Sequence, residues 1–213
     1  MSQEQLLEWG VYLPMILMAF TFHEYSHARV ALALGDPTAA DQGRVSLNPL
    51  VHVDIVGLIA LLWFKFGWAK PVPVNPSNLH AAHPRNFRWA ELAVAAAGPV
   101  SNLLLAGVLR LAILALSAFP VFSTGMLHVL AGMIVAGMIV NVGLFVLNLI
   151  PIYPLDGFTM LRNALPVDAA QRLDGTRPYG WILMALLMFF PQTGGLALLG
   201  FARDLLMVHL YRL

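Results

Sequence analysis

The 213-residue chain is 59% hydrophobic and only 11% charged, where a soluble domain carries about 25% charged residues. Its formal net charge is +1, and no basic cluster argues for a nucleic-acid partner. Cysteine is absent, which excludes disulfides and thiolate metal sites and leaves His, Asp and Glu as metal ligands.

Met1 to Glu8 contains two glutamates and no Lys or Arg, so the first apolar run reads as a retained helix rather than a cleaved signal. A helix needs about 20 apolar residues to cross the hydrocarbon core. The composition predicts spans over about 9–34, 91–119, 126–150 and 179–200, the last broken by Pro191 to Gly195. Residues 55–66 are apolar but make only about 18 Å of helix, which favours a re-entrant or interfacial segment. Between the first two spans, Gly43-Arg44-Val45-Ser46-Leu47 alternates polar and apolar residues, the pattern of a short strand. The expected architecture is therefore an all-α polytopic membrane protein. It is read as one domain over 1–213, a helical bundle with a small β or extended element in the first loop.

Lys and Arg gather at Arg44, Lys65, Lys70, Arg85 and Arg88, and again at Arg162, Arg172 and Arg177. The positive-inside rule then places the N-terminus outside and the loops 35–90 and 151–178 in the cytoplasm. Arg110 reads as a snorkelling residue. Trp9, Trp63, Trp68, Trp89 and Trp181 fall near span ends, as interfacial anchors do.

The first span contains His23-Glu24-Tyr25-Ser26-His27. Ionisable residues at membrane depth are costly and mark function by default. His23 and His27 lie one turn apart, about 40° around the helix, so both imidazoles can reach one ion. Glu24, about 100° from His23, can face the open side of that ion as a base. A catalytic zinc takes three protein ligands, and Asp156 is a candidate third. Pro151 and Pro154 unwind the chain ahead of it, and Gly157 permits a tight turn. Spacing alone leaves Asp156 equally readable as an ordinary loop carboxylate after a membrane helix.

Asn102 and Asn148 lie on the second and third spans. For Asn148 a role in positioning a carbonyl or supporting an oxyanion is favoured; for Asn102 that role and helix–helix bonding are equally open. His52 and Asp54 read as loop caps, and His80, His83, His128 and His209 as surface or interface residues. The Gly43–Leu47 strand, through Val45, is expected to hold an unwound substrate segment by edge pairing.

Four stretches together resemble one family. They are the His23–His27 motif, Asn148-Leu149-Ile150-Pro151-Ile152-Tyr153-Pro154-Leu155-Asp156-Gly157, Gly98-Pro99-Val100-Ser101-Asn102, and the proline-rich run Gly67 to Pro76. The chain is similar to the site-2 proteases, intramembrane metalloproteases, over most of residues 15–160. The resemblance implies one zinc ion held by His23, His27 and Asp156, with Glu24 as catalytic base. Its implied substrates are single-span membrane proteins, and its implied location is the inner membrane of a bacterium with the site toward the cytoplasm. The chain departs from better-known members in leaving no room for a PDZ domain or a C-terminal nucleotide-sensing module, and in the segment 55–66. A metal-ion transporter and an inactive membrane-helix-binding scaffold are the competing readings; neither matched repeats nor loss of Glu24 supports them. Self-association is left open by the sequence.

Overall fold

A computed structural model of the protein describes residues 3–64, 67–117 and 126–189, with Gly200. Three long helices carry the architecture: α1 (Gln3–Ala33), α5 (Phe87–Ser117) and α6 (Met126–Asn148). Between α1 and α5 lie the short helices α2 (Thr38–Asp41), α3 (Ile55–Phe64) and α4 (Pro76–Ala82). After α6 come α7 (Asp156–Ala164), α8 (Val167–Asp174) and α9 (Gly180–Phe189). Helix α5 packs against α1, α6 and α7, and α1 also packs against α6.

Small residues let these helices approach closely. Ala19, Ala28, Ala31, Ala90, Ala95, Ala106 and Ala136 are all buried, the composition of helix contacts in lipid. At Gly137 of α6 an added Cβ would meet the side-chain ends of Leu109 at 2.9 Å and Met15 at 3.1 Å, so residues of all three long helices meet at this glycine. The outer side of α5 is apolar and open: Val100, Leu103, Leu104, Val108 and Leu111 are exposed. Helices α5 and α6 are long and apolar enough to cross a bilayer, yet only 11% and 28% of their most apolar stretches are buried. Core helices of a soluble protein would be mostly buried, so these faces fit lipid as their solvent. Helix α1 is 31 residues long and carries the polar cluster His23 to His27 within its apolar run.

The stretches 91–119 and 126–150 are helical over most of their length, as parts of α5 and α6; positions 118–119 lie outside the described residues. The segment 55–66 forms the ten-residue α3, about 15 Å long and too short to cross; residues 65–66 fall outside the described residues. Of the fourth expected span only α9 is described.

The predicted strand at Gly43–Leu47 is not formed, and no named strand occurs among the described residues. Gly43 sits at φ +68°, a left-handed turn conformation open to glycine. Its N–H and that of Arg44 close α2 by bonding to Ala40 and Ala39 carbonyls. The Ser46 carbonyl pairs with His52 Nε2 at 2.8 Å, and Ser46 Oγ accepts from Asn48 N–H. Local partners thus take the groups a ladder would need. The nearest β feature is a single antiparallel bridge between Val53 and Ala69. Asp54 caps α3 through the Gly57 N–H, 2.9 Å away, in keeping with its reading as a loop cap.

The proline-rich strap from Ala69 to Asn75 is tied at both ends. Lys70 donates its N–H to the His52 carbonyl and accepts from buried Arg44 Nη2 at 2.5 Å. At the other end Asp36, fully buried, accepts from the Asn75 N–H at 2.7 Å. Its second oxygen takes the Thr38 N–H, the Thr38 hydroxyl and the Asn78 amide. Burial works to raise the Asp36 carboxyl, but these hydrogen bonds prevail and hold it below the usual carboxylate range. The strap is thereby laid across α1 next to Glu24.

Candidate metal centre

His23 and His27 sit on the buried face of α1. Their Nε2 atoms are 3.0 Å apart. Asp156 Oδ2 approaches them at 3.1 and 3.3 Å. Two of the donors lie one helical turn apart, and the third comes from a residue well over 100 positions further along the chain.

The corner before α7 explains how Asp156 arrives there. Helix α6 stops at Asn148, and Pro151 and Pro154 prevent its continuation. Gly157 then packs against the chain it follows: an added Cβ would lie 2.5 Å from the Leu149 carbonyl. The turn can close only with glycine there, and it delivers Asp156 as the first residue of α7.

The imidazoles are oriented by their far nitrogens. His23 Nδ1 pairs with Asn102 Oδ1 at 2.6 Å. The Asn102 amide nitrogen donates to the Ala19 carbonyl and to Asn141 Oδ1, and Asn141 donates onward to the Gly137 carbonyl. Two carbonyl acceptors therefore fix both amides, and Asn102 Oδ1 must face His23 as an acceptor. His23 Nδ1 thus carries the proton. His27 Nδ1 likewise donates to the Val94 carbonyl at 2.7 Å. Both Nε2 atoms are then lone-pair donors aimed at one point.

That arrangement tests the fit of a cation. Two lone pairs and a carboxylate oxygen repel one another unless something positive lies between them. Asp156 Oδ2 is itself buried without a hydrogen-bond partner. Tetrahedral zinc, with bonds of about 2.0–2.2 Å, needs donors spaced at about 3.3 Å, which is close to the spacing observed. Gly98 keeps the space clear: an added Cβ would fall 2.3 Å from His27 Nε2 and 2.6 Å from His23 Nε2.

Glu24 shares the buried wall but points elsewhere. Its Oε2 accepts the Val72 N–H of the strap at 2.8 Å, and buried Arg44 lies within electrostatic reach. Glu24, the two imidazoles and Asp156 all line a cleft of about 650 Å³. Its walls are the strap, the inner face of α5, the end of α6, α7 and α9.

Comparison with known proteins agrees with this constellation. Two curated relatives both carry the name "Putative zinc metalloprotease". YwhC of Bacillus subtilis (strain 168) is 36% identical over 181 residues, covering 83% of this chain and 78% of its own. The chain belongs to the site-2 protease family. Rip2 of Mycolicibacterium smegmatis is 29% identical over 190 residues, covering 85% of this chain and 69% of its own. No family model and no solved structure matches.

Not every residue singled out in this site-2 protease family member reaches the cleft. Val45 does not line it, because its segment turns instead of extending; the backbone along the cleft is that of the strap. Asn102 is fully buried behind His23 and does not line the cleft. Asn148 does line the cleft, with its amide donating to the Leu144 carbonyl of its own helix. The sequence reading missed Asn141, the Val94 carbonyl and the Val72 amide. Of these, only Asn141 left a trace: an amide in the middle of an apolar helix needs a partner.

Groups that hold a ligand histidine from behind are worth about 10–100-fold in metal affinity. Replacing Asn102 by Ala is expected to weaken zinc binding by that range, measured by competition with a chromophoric chelator.

Proposed function

We propose that this protein is an intramembrane zinc metalloprotease that hydrolyses peptide bonds in or near the transmembrane segments of membrane proteins. One observation carries the reading: two imidazole Nε2 atoms with committed far nitrogens and one orphaned carboxylate oxygen, all within 3.3 Å, on the wall of a cleft that also holds Glu24. The names of the relatives and the open apolar faces of α5 and α6 support it.

In this reading His23, His27 and Asp156 hold the zinc. When bound, zinc acts as a Lewis acid that polarises the scissile carbonyl and acidifies water. Glu24 takes a proton from the attacking water and passes it to the leaving amine. The Val72 N–H fixes one oxygen of that carboxylate, which leaves the other for proton transfer. Asn102 and the Val94 carbonyl keep the Nε2 lone pairs aimed. Asn148, on the cleft wall, orients the substrate carbonyl. The apolar walls around Leu144, Leu147, Trp181 and Met184 receive a locally unwound stretch of a membrane helix. By loop charge the N-terminus is outside and the centre opens toward the cytoplasm, in the inner membrane of a bacterium.

The test is metal removal. Purified protein in detergent, incubated with a panel of single-span membrane substrates, is expected to cleave at least one. Cleavage should stop on stripping with 1,10-phenanthroline and return with stoichiometric zinc. Cleavage that persists in verified metal-free protein overturns the reading.

A further inference from the structure

The end of the cleft away from α1 carries a charged cluster that the proposed chemistry does not use. Glu91, Arg162 and Arg177 all line the cleft there. Arg162 is paired to two carboxylates: its Nε lies 3.0 Å from each Asp174 oxygen, and Nη1 lies 3.3 Å from Glu91. Arg177 is held differently. Its Nε donates to Asp174 Oδ1 at 2.9 Å. Its guanidinium lies 5.3 Å from the Phe158 ring centroid and 5.7 Å from that of Tyr153.

These contacts lock the planar group without using its outer donors. Among the described residues, Arg177 Nη1 and Nη2 have no partner, and the side chain is 46% exposed. The backbone is fixed as well: at Gly180 an added Cβ would lie 2.4 Å from the Tyr153 carbonyl oxygen. Arg177 is therefore pinned to the same proline corner that delivers Asp156. A pre-set guanidinium with two spare N–H groups suits a carboxylate, which it can grip with two parallel hydrogen bonds.

We infer that Arg177 forms a subsite for an acidic residue of the substrate, flanking the bond to be cut. This rests on the proteolytic reading above. A peptide carboxylate fits better than a lipid phosphate, because Arg177 sits on a cleft wall continuous with Asp156 and Thr159 and not on the exposed apolar face of α5. Both Arg177 and Asp156 line the one cleft, so the preferred substrate carries Asp or Glu within a few residues of the scissile bond.

The full chain is reconstituted in phosphatidylcholine vesicles, with or without phosphatidylglycerol. It is offered a cleavable single-span substrate bearing one Glu, Gln or Lys at each position within a few residues on either side of the mapped cut. Wild-type protein is expected to show a kcat/KM about 10–100-fold higher for Glu than for Lys at one of these positions, the range of a charge-assisted hydrogen bond. The variant R177Q should flatten that ratio, R177E should invert it, and R177K should keep its sign. Thermal melting and zinc content of each variant show whether it is folded. A wild-type ratio near one everywhere, or a ratio that survives in R177Q, overturns the subsite. So does a loss in R177Q that ignores substrate charge and appears only with phosphatidylglycerol, which would mark a lipid site. If wild-type protein cuts no substrate, the proteolytic reading fails. The subsite is then judged by binding of fluorescent Glu and Lys peptides: a Glu preference absent from R177Q upholds it, and equal binding overturns it.

Discussion

Changing Glu24 to Gln is expected to leave one zinc per chain in place and to lower substrate cleavage by about 10²–10⁴-fold, the range for a positioned general acid–base group. The amide keeps the shape of the side chain, and its oxygen can still accept the Val72 N–H that Glu24 accepts at 2.8 Å. It cannot take a proton from water. The separation of the two readouts is the point: metal retained, turnover lost. Glu24 donates nothing to the convergence of His23, His27 and Asp156, so a variant that loses zinc would show Glu24 acting as a ligand. Full activity in the variant would remove it from the chemistry altogether. The expected check pairs metal analysis with a single-turnover cleavage assay on the same preparation.

Changing Asp156 to Ala should do the opposite and act on the metal first. The carboxylate is the one anionic donor among the three. Without it two neutral imidazoles remain, short of the three protein ligands usual for catalytic zinc. Zinc affinity is expected to fall by more than the roughly 10–100-fold assigned to groups behind a ligand, with activity falling alongside. Excess zinc should restore part of the metal content and little of the turnover. Retention of wild-type affinity in this variant, measured by chelator competition, would detach Asp156 from the site.

How much of this was legible in the sequence depended on distance along the chain. The pairing of His23 and His27 is local: four residues on one helix put two rings on one face. The approach of Asp156 was legible only as a break, from two prolines and a glycine after an apolar span. What orients the rings was legible only as isolated amides within apolar helices. That Asn102 and Asn141 join behind His23, and that the Val94 carbonyl takes His27, follows from helix packing, and such contacts leave no periodic mark. Gly98 likewise looks like any small residue until a Cβ is placed against the imidazoles. The misread element is instructive. Gly43 to Leu47 alternates as a strand does, but alternation reports only sidedness. A left-handed glycine and the side chains of Ser46 and His52 take up the local backbone groups, and the cleft is walled instead by the strap. That strap reads as punctuated loop because Pro71 and Pro73 lack donors; its shape comes from Arg44 and Asp36, residues distant in sequence.

The apolar helices tell a similar story. Length and composition identify α5 and α6 as able to cross a bilayer. Helix α1 differs in carrying His23, Glu24 and His27 within an apolar run.

X-ray absorption at the zinc edge, recorded on wild-type protein loaded with one equivalent of zinc, tests the convergence of the three side chains most directly. The account predicts two imidazole nitrogens and light oxygen donors at about 2.0–2.2 Å, with one imidazole lost in His23→Ala. A spectrum without paired imidazole scattering, or one unchanged in His23→Ala, would contradict it.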